Sequence, residues 1–296
     1  MLVDTHCHLN FKAFEGRVDE VINDAKKVGV GTIVVPGTDV LTSQKAVGIA
    51  EKYEGVYAAV GIHPHHVYEF LKDSESEFLS HTSRKRKNFS SSSFEQNIIE
   101  VEKLLKNPKV VAVGEIGIDK HYYQKTKHEN YQINDEFINL QKDLFIKQIK
   151  LAVKYKKALI IHNRQAKEDV LSILTNNHEL LTNNRIVFHC CEPDKDLLDF
   201  AIDHKMFIGV DGDITYRKNK QEFIKTVPLE MLILETDSPF LIPRLLSMRR
   251  PSTRYNEPKN IPLIAGFIAQ LLHCSIDELE KQTTENAKKL FKIKLF

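Results

Sequence analysis

The chain has 296 residues, 42% of them hydrophobic and 28% charged, and a formal net charge of +2 at pH 7. That length suits one large domain or two ordinary ones, and the balance of apolar and charged residues excludes a disordered chain. A charge so near neutral does not by itself announce a nucleic-acid binder, so any electropositive site must be local. No apolar run approaches the ~20 residues that cross a bilayer, and the first residues enter a strand at once, with no room for a leader segment. Cys7, Cys190, Cys191 and Cys274 lack C-x-x-C spacing and read as reduced thiols. The expectation is a cytoplasmic protein without membrane contact.

Leu2-Val3 opens as a short strand and runs into Asp4-Thr5-His6-Cys7-His8. In extended backbone alternate side chains share a face, so His6 and His8 converge while Thr5 and Cys7 point away. Residues 16–27 carry Val18, Val21, Ile22 and Ala25 at helical spacing, and 32–36 read as a buried strand. A second helix is expected over 41–53. Residues 56–60 form an unbroken apolar run, suited to a parallel strand covered on both faces, that ends in Gly61-Ile62-His63-Pro64. Residues 70–93 are rich in serine and charge and contain the basic run Ser83-Arg84-Lys85-Arg86-Lys87-Asn88. They predict an insertion over about residues 70–95 on the face that carries the strand ends. A helix over 98–105 leads to a strand over 110–113, which ends in Gly114-Glu115-Ile116-Gly117-Ile118-Asp119. The long helix around Phe137, Leu140, Leu144, Ile149 and Ala152 leads to a strand over 158–161 ending in His162. Helix 170–174 leads to strand 186–188 and His189, helix 197–202 to strand 207–210, and a short helix near Phe223 to strand 231–234. That last strand ends in Glu235-Thr236-Asp237, and helices over 261–272 and 276–290 close the chain.

Eight strand-like runs, each followed by a helix-like segment, predict a (β/α)8 TIM barrel forming one domain with an insertion after the third strand. An open doubly wound sheet is the alternative, but no glycine-rich fingerprint follows the first strand. In such a barrel the reactive groups lie at the carboxyl ends of the strands. His6, His8, His63, Glu115, His162, His189 and Asp237 all lie at or just past such ends, so folding gathers them around one mouth. Each alone is ordinary, because a single histidine is often structural and a single glutamate often caps a helix. Their matching places on six strands point to a shared metal site.

Four imidazoles and two carboxylates exceed the needs of one four-coordinate metal, so two divalent ions with a bridging carboxylate are expected. The assignment gives one metal to His6, His8 and Asp237 with Glu115, and the other to Glu115, His162 and His189. Such a donor set suits Zn, Mn or Mg. A metal pair lowers the pKa of a bound water and grips both the attacking and the leaving oxygen of a phosphoryl displacement. Glu115 and Asp237 are the candidate catalytic residues, Asp237 as general base. Arg164 and the later Arg244, Arg249, Arg250 and Arg254 place guanidinium groups near the same mouth, where they suit phosphate. The basic run in the insertion suits non-specific contact with a nucleic-acid backbone.

The motifs D-T-H-C-H at 4–8, G-I-H-P at 61–64, G-E-I-G-I-D at 114–119, I-I-H-N-R at 160–164, F-H-C at 188–190, L-E-T-D-S-P-F-L at 234–241 and R-Y-N-E-P at 254–258 span nearly the whole chain. Together they resemble the TatD family of metal-dependent deoxyribonucleases, within the amidohydrolase-like barrels. The resemblance implies two divalent metals and hydrolysis of DNA, often exonucleolytic from the 3′ end of single strands. It implies metal-ligand roles for His6, His8, Glu115, His162, His189 and Asp237, and contacts to substrate or leaving group for His63 and Arg164. The expected partner is single-stranded DNA, and the expected state is a monomer. The chain departs from the pattern where the family usually continues F-H-C-F-S-G and here Cys191-Glu192-Pro193 follows Cys190, and where Asn163 stands for a common serine. A carboxylate at Glu192 would repel a phosphate beside it. The competing function is a metal-dependent amidohydrolase or esterase acting on a small molecule. Many such barrels bridge their metals with a modified lysine after the fourth strand, where this chain has Glu115.

Overall fold

Apolar strands separated by amphipathic helices can bury both faces of each strand only if the helices cover one face and the strands themselves enclose the other. The computed structural model describes residues 1–68, 94–124, 132–177, 185–244 and 254–294, and it takes that solution. The strands are β1 (Leu2–Asp4), β2 (Val30–Pro36), β3 (Val56–Val60), β4 (Val110–Asp119), β5 (Ala158–Arg164), β6 (Ile186–Phe188), β7 (Phe207–Val210) and β8 (Leu232–Leu234). They form one parallel sheet in sequence order. Helices α1 (Val18–Lys27), α2 (Val40–Lys52), α3 (Phe94–Leu104), α4 (Asp135–Tyr155), α5 (Lys167–Asn176), α6 (Lys195–Asp203) and α7 (Lys218–Ile224) alternate with the strands, and α8 (Ile261–Leu272) and α9 (Ile276–Phe291) follow β8. The ends of the sheet meet through Thr5 N–H donating to Leu234 O at 3.0 Å, Asp237 N–H to His6 O at 2.9 Å and His8 N–H to Ser238 O at 2.8 Å. The expected (β/α)8 barrel is therefore the architecture.

Strand parity divides the core in two. Ile33 and Val35, Leu159 and Ile161, and Leu232 and Leu234 face the helices and join the larger apolar cluster. Val34, Ile160 and Ile233, one residue out of phase, join a smaller cluster drawn from β2 to β8 and plugged by Leu290 and Phe291 of α9. Each such side chain, fully buried, contributes about 1.5–3 kcal/mol of transfer free energy. Asp39 caps α2, with its carboxylate accepting from the Thr42 N–H at 2.7 Å.

Several boundaries differ from those expected. β1 ends at Asp4, so His6 and His8 lie just beyond it in extended backbone, on either side of a one-residue bridge between Cys7 and Ser238. β4 and β5 run on to Asp119 and Arg164, so Glu115 and His162 lie within strands rather than past them. The extension is possible because Ile116 to Asp119 pair with Ile161 to Arg164 after a register shift beyond Val113. Gly117 makes room for it: at φ +145° it lies where an added Cβ would sit 1.9 Å from His162 O. Met231 belongs to a one-turn 3-10 segment before β8, not to the strand. The expected insertion over 70–95, with its basic run, lies outside the described residues except for Phe94 and Glu95, which begin α3. No single helix among the described residues is long and apolar enough to cross a membrane.

Candidate metal centre

The loop ends of the barrel strands bring the six expected ligands together. Extended backbone past β1 aims His6 and His8 at one point, their Nε2 atoms 3.2 Å apart. Asp237 reaches the same point from the loop after β8, where it holds φ +49°. Its Oδ1 lies 3.8 Å from His6 Nε2 and 3.5 Å from His8 Nε2. Glu115 Oε2 lies 3.5 Å and 3.8 Å from the same two nitrogens. The other oxygen of Glu115 faces the second group: Oε1 is 2.7 Å from His162 Nδ1 and 3.5 Å from His189 Nε2. One carboxylate thus touches both sets.

The spacing of the donor atoms tests whether a metal fits. A tetrahedral ion with bonds of about 2.0–2.2 Å separates its ligand atoms by about 3.3–3.6 Å. The five distances around His6, His8, Glu115 and Asp237 run from 3.2 to 3.8 Å. Two imidazole nitrogens 3.2 Å apart beside two carboxylate oxygens gather four nitrogen and oxygen donors of the kind a divalent cation takes. These residues fit a divalent metal. The second set, Glu115, His162 and His189, brings one donor atom from each residue within 4.8 Å of the others.

Carboxylates the sequence did not single out stand behind the histidines. Asp119 Oδ2 lies 3.1 Å from His162 Nε2, and Glu235 Oε1 lies 3.2 Å from His189 Nδ1, close but off the line of a good hydrogen bond. Glu235 also accepts from the Cys190 N–H, and its carboxylate occupies the space that a Cβ on Gly209 would take, 2.6 Å from both oxygens. His8 Nδ1 is held by Pro36 O at 3.3 Å. Such outer partners fix ring orientation and raise ligand basicity.

The electrostatics follow. Burial, with repulsion from His189 next, lowers the His6 pKa and keeps that imidazole neutral. Burial also pushes His63 well below its ordinary value. Burial would lower His162 too, but its hydrogen bonds to Asp119 and Glu115 lift it to about 9. For His189, burial is again outweighed, by Glu235 and Glu115, which raise it to about 10. Burial pushes Glu115 upward, yet the imidazoles around it, His63 and His189 foremost, hold it well below the usual carboxylate range.

The centre lies in a cavity of about 660 Å³, within the usual range of ligand sites. His63 lines it, with Nε2 3.5 Å from Glu115 Oε1. Its Nδ1 accepts the His65 N–H at 3.1 Å, so Nε2 carries the hydrogen and His63 is a donor, not a ligand. Arg164 also lines the cavity; its Nη1 donates to the Tyr123 hydroxyl at 2.9 Å, and that hydroxyl donates to Asp119 Oδ2 at 2.8 Å. Arg254, expected at the same mouth, does not line the cavity, because its guanidinium lies over the ring of its neighbour Tyr255, 5.4 Å from the centroid. Arg244 lies over Tyr216 at 4.7 Å, and Arg249 and Arg250 fall outside the described residues. The Glu192 carboxylate is not a lone charge: Arg217 donates to both its oxygens, at 2.7 and 2.6 Å.

The family profile described as TatD related DNase matches residues 3–292. The protein named "Uncharacterized metal-dependent hydrolase YabD" of Bacillus subtilis (strain 168) is 32% identical over 295 residues, covering 99% of this chain and 100% of that one. A "3'-5' ssDNA/RNA exonuclease TatD" of Erwinia tasmaniensis is 28% identical over 297 residues, covering 99% and 100%. Among solved structures, YjjV, a TatD homolog from Escherichia coli K12, superposes with a TM-score of 0.78 at 26% identity, covering 99% of this chain and 98% of that one.

Proposed function

The chain belongs to the TatD related DNase family of metal-dependent hydrolases, and we propose that it is a 3′-5′ exonuclease that hydrolyses single-stranded DNA as a monomer with two divalent metals. The observation that carries the proposal is the Glu115 carboxylate, which faces His6 and His8 with one oxygen and His162 and His189 with the other. It lies in a cavity that an arginine also lines. The name borne by the Erwinia relative supports the substrate and the direction. One chain supplies all six candidate ligands, which supports a monomer. Four free thiols support a reducing compartment, the cytoplasm.

In this proposal His6, His8, Glu115 and Asp237 hold one ion, and Glu115, His162 and His189 the other. Bound divalent metal supplies a hydroxide nucleophile at neutral pH and neutralises charge on the phosphoryl group. Arg164 orients the scissile phosphate, with its side chain anchored on Tyr123. Asp237 accepts the proton of the attacking water on its carboxylate. His63 offers Nε2–H as a neutral donor to the leaving oxygen.

The test is digestion of 5′-labelled single-stranded DNA with Mg, Mn or Zn, beside a chelator control and Glu115→Ala. We expect ladders shortened from the 3′ end that need metal, and a loss in kcat/KM of about 10³-fold or more for Glu115→Ala. Activity of Glu115→Ala within about tenfold of the parent would overturn the shared-carboxylate site. A metal-bearing protein that leaves DNA intact while hydrolysing small esters would move the function to a small-molecule hydrolase.

A further inference from the structure

Two arginines stand over tyrosines that line the cavity. Arg164, at the end of β5, lies over Tyr123 at 5.2 Å from the ring centroid, and Arg244, in the loop after β8, lies over Tyr216 at 4.7 Å. Among the described residues neither guanidinium pairs with a carboxylate. Arg217 lines the same cavity but is spent. Its Nη1 donates to Glu192 Oε1 at 2.7 Å and to Asp213 Oδ2 at 3.0 Å, and its Nη2 to Glu192 Oε2 at 2.6 Å. The fully buried Lys220 lies 2.7 Å from Asp211 Oδ2 and 2.7 Å from Asp213 Oδ1. With Arg244 these three carboxylates meet three cations, so a phosphate approaching this wall finds an open fork of donors and no net negative charge.

Arg244 is also held in place. Its N–H donates to Thr215 Oγ1 at 2.7 Å, next to Tyr216 in the chain. Leu241 O, three residues earlier, accepts from the buried Asn256 at 3.2 Å and packs on Gly212, where an added Cβ would lie 2.2 Å from it. The loop after β8 is thus fastened to the segment after β7, with the guanidinium exposed at its edge.

We propose that Arg244, seated on Tyr216, binds the phosphate one nucleotide 5′ of the scissile one. The inference rests on the exonuclease proposed above and deepens it. In a strand cut next to a free 3′ end, the departing nucleotide has no phosphate on its 3′ side, so every phosphate other than the scissile one lies on the 5′ side. Arg164, two residues past His162, takes the scissile phosphate in that reading. A second unpaired guanidinium at the same mouth has the next phosphate upstream as its partner, and the strand leaves over the loops after β7 and β8. The planar fork can grip two phosphate oxygens at once, and the ring beneath it limits the orientations it must give up.

The test uses 5′-fluorescein DNA hexanucleotides with a free 3′-hydroxyl and one uncharged methylphosphonate, placed either at the penultimate linkage or at the first. The two probes carry the same net charge. Binding is followed by anisotropy in chelator, and loss of the terminal nucleotide with Mg or Mn. The parent should handle the first-linkage probe about tenfold better in both assays. Arg244→Gln should bring the two probes to within about twofold, and Arg244→Lys, which keeps the charge without the fork, to about threefold. The slope of log K against log salt should fall by about 0.7 in Arg244→Gln, the share of one single-strand phosphate. A merely structural loss would weaken both probes alike and leave the ratio near the parent's. Equal handling of the probes by a parent that cuts, or a ratio that Arg244→Gln leaves unchanged, overturns the Arg244 contact while the nuclease stands. Discrimination in binding that Arg244→Gln removes, without cleavage, supports the contact and defeats the nuclease; neither binding nor cleavage defeats both.

Discussion

At Glu115 a single substitution reaches both halves of the site, because each carboxylate oxygen faces its own imidazoles. Glu115→Ala should therefore weaken both metals together, which equilibrium dialysis followed by metal analysis would read; loss of one ion alone would contradict the shared carboxylate. The raised values of His162, about 9, and His189, about 10, place a proton on each ring at pH 7 in the metal-free protein. Metal needs neutral imidazole, so binding must expel those protons. Affinity should rise with pH from 7 toward 9 and fall in acid. Titration calorimetry at pH 7 in two buffers of different ionisation enthalpy should report proton release, and identical heats would refute it. In the metal-free protein the sign for stability is the reverse. These raised values stabilise fully below the ordinary 6.5 and lose their effect as pH passes through 9 to 10. The convergence of these histidines was legible in the sequence because two-residue alternation and strand-end placement are visible there. Asp119 and Glu235 were not, since an acid after a strand looks like a helix cap until the fold sets it against a ring.

Two helices hold the centre in ways that their sequences conceal. Gln141 and Gln148 of α4 lie two turns apart on one face and are fully buried. Gln148 Oε1 accepts the Ile62 N–H at 2.7 Å and its Nε2 donates to Ile62 O at 3.0 Å, while Gln141 does the same for Asp119 at 2.8 and 3.0 Å. Each glutamine serves as a substitute strand partner, fixing the backbone beside His63 and at Asp119. Gln148→Leu leaves a buried donor and a buried acceptor unmet, and should cost roughly 2–4 kcal/mol, read from the urea midpoint. In α7, Lys220 sits in a short polar helix that reads as surface, yet it is fully buried between Asp211 and Asp213. Lys220→Met should destabilise by about 3–5 kcal/mol near neutral pH. The deficit should grow as pH rises above about 4, because the stranded carboxylates then ionise without a partner; a flat pH dependence would argue against it. Helical periodicity shows which residues face inward only when they are apolar, so these polar members escaped it.

For the whole molecule the barrel was legible because eight apolar runs leave few other ways to bury both faces of a parallel sheet. What sequence could not supply was the far end of each side chain, as Arg254 shows by stacking on Tyr255 instead of entering the cavity. The bound metals should stabilise the fold as any native-state ligand does, by about 2.7 kcal/mol at a concentration 100 times Kd. Chelation should lower Tm by about 5 °C in the parent and much less in Glu115→Ala; an equal shift in both would mean the ions bind elsewhere. The seam of the barrel carries a last consequence. His6 and His8 leave β1, Asp237 follows β8, and the bonds that close the sheet, such as Asp237 N–H to His6 O, run between those same residues. During synthesis the first histidines must wait for Glu115 and then, more than two hundred residues after them, for Asp237 before their carboxylate partners are complete. A nascent chain therefore lacks the assembled centre until β8 and the loop after it have been made.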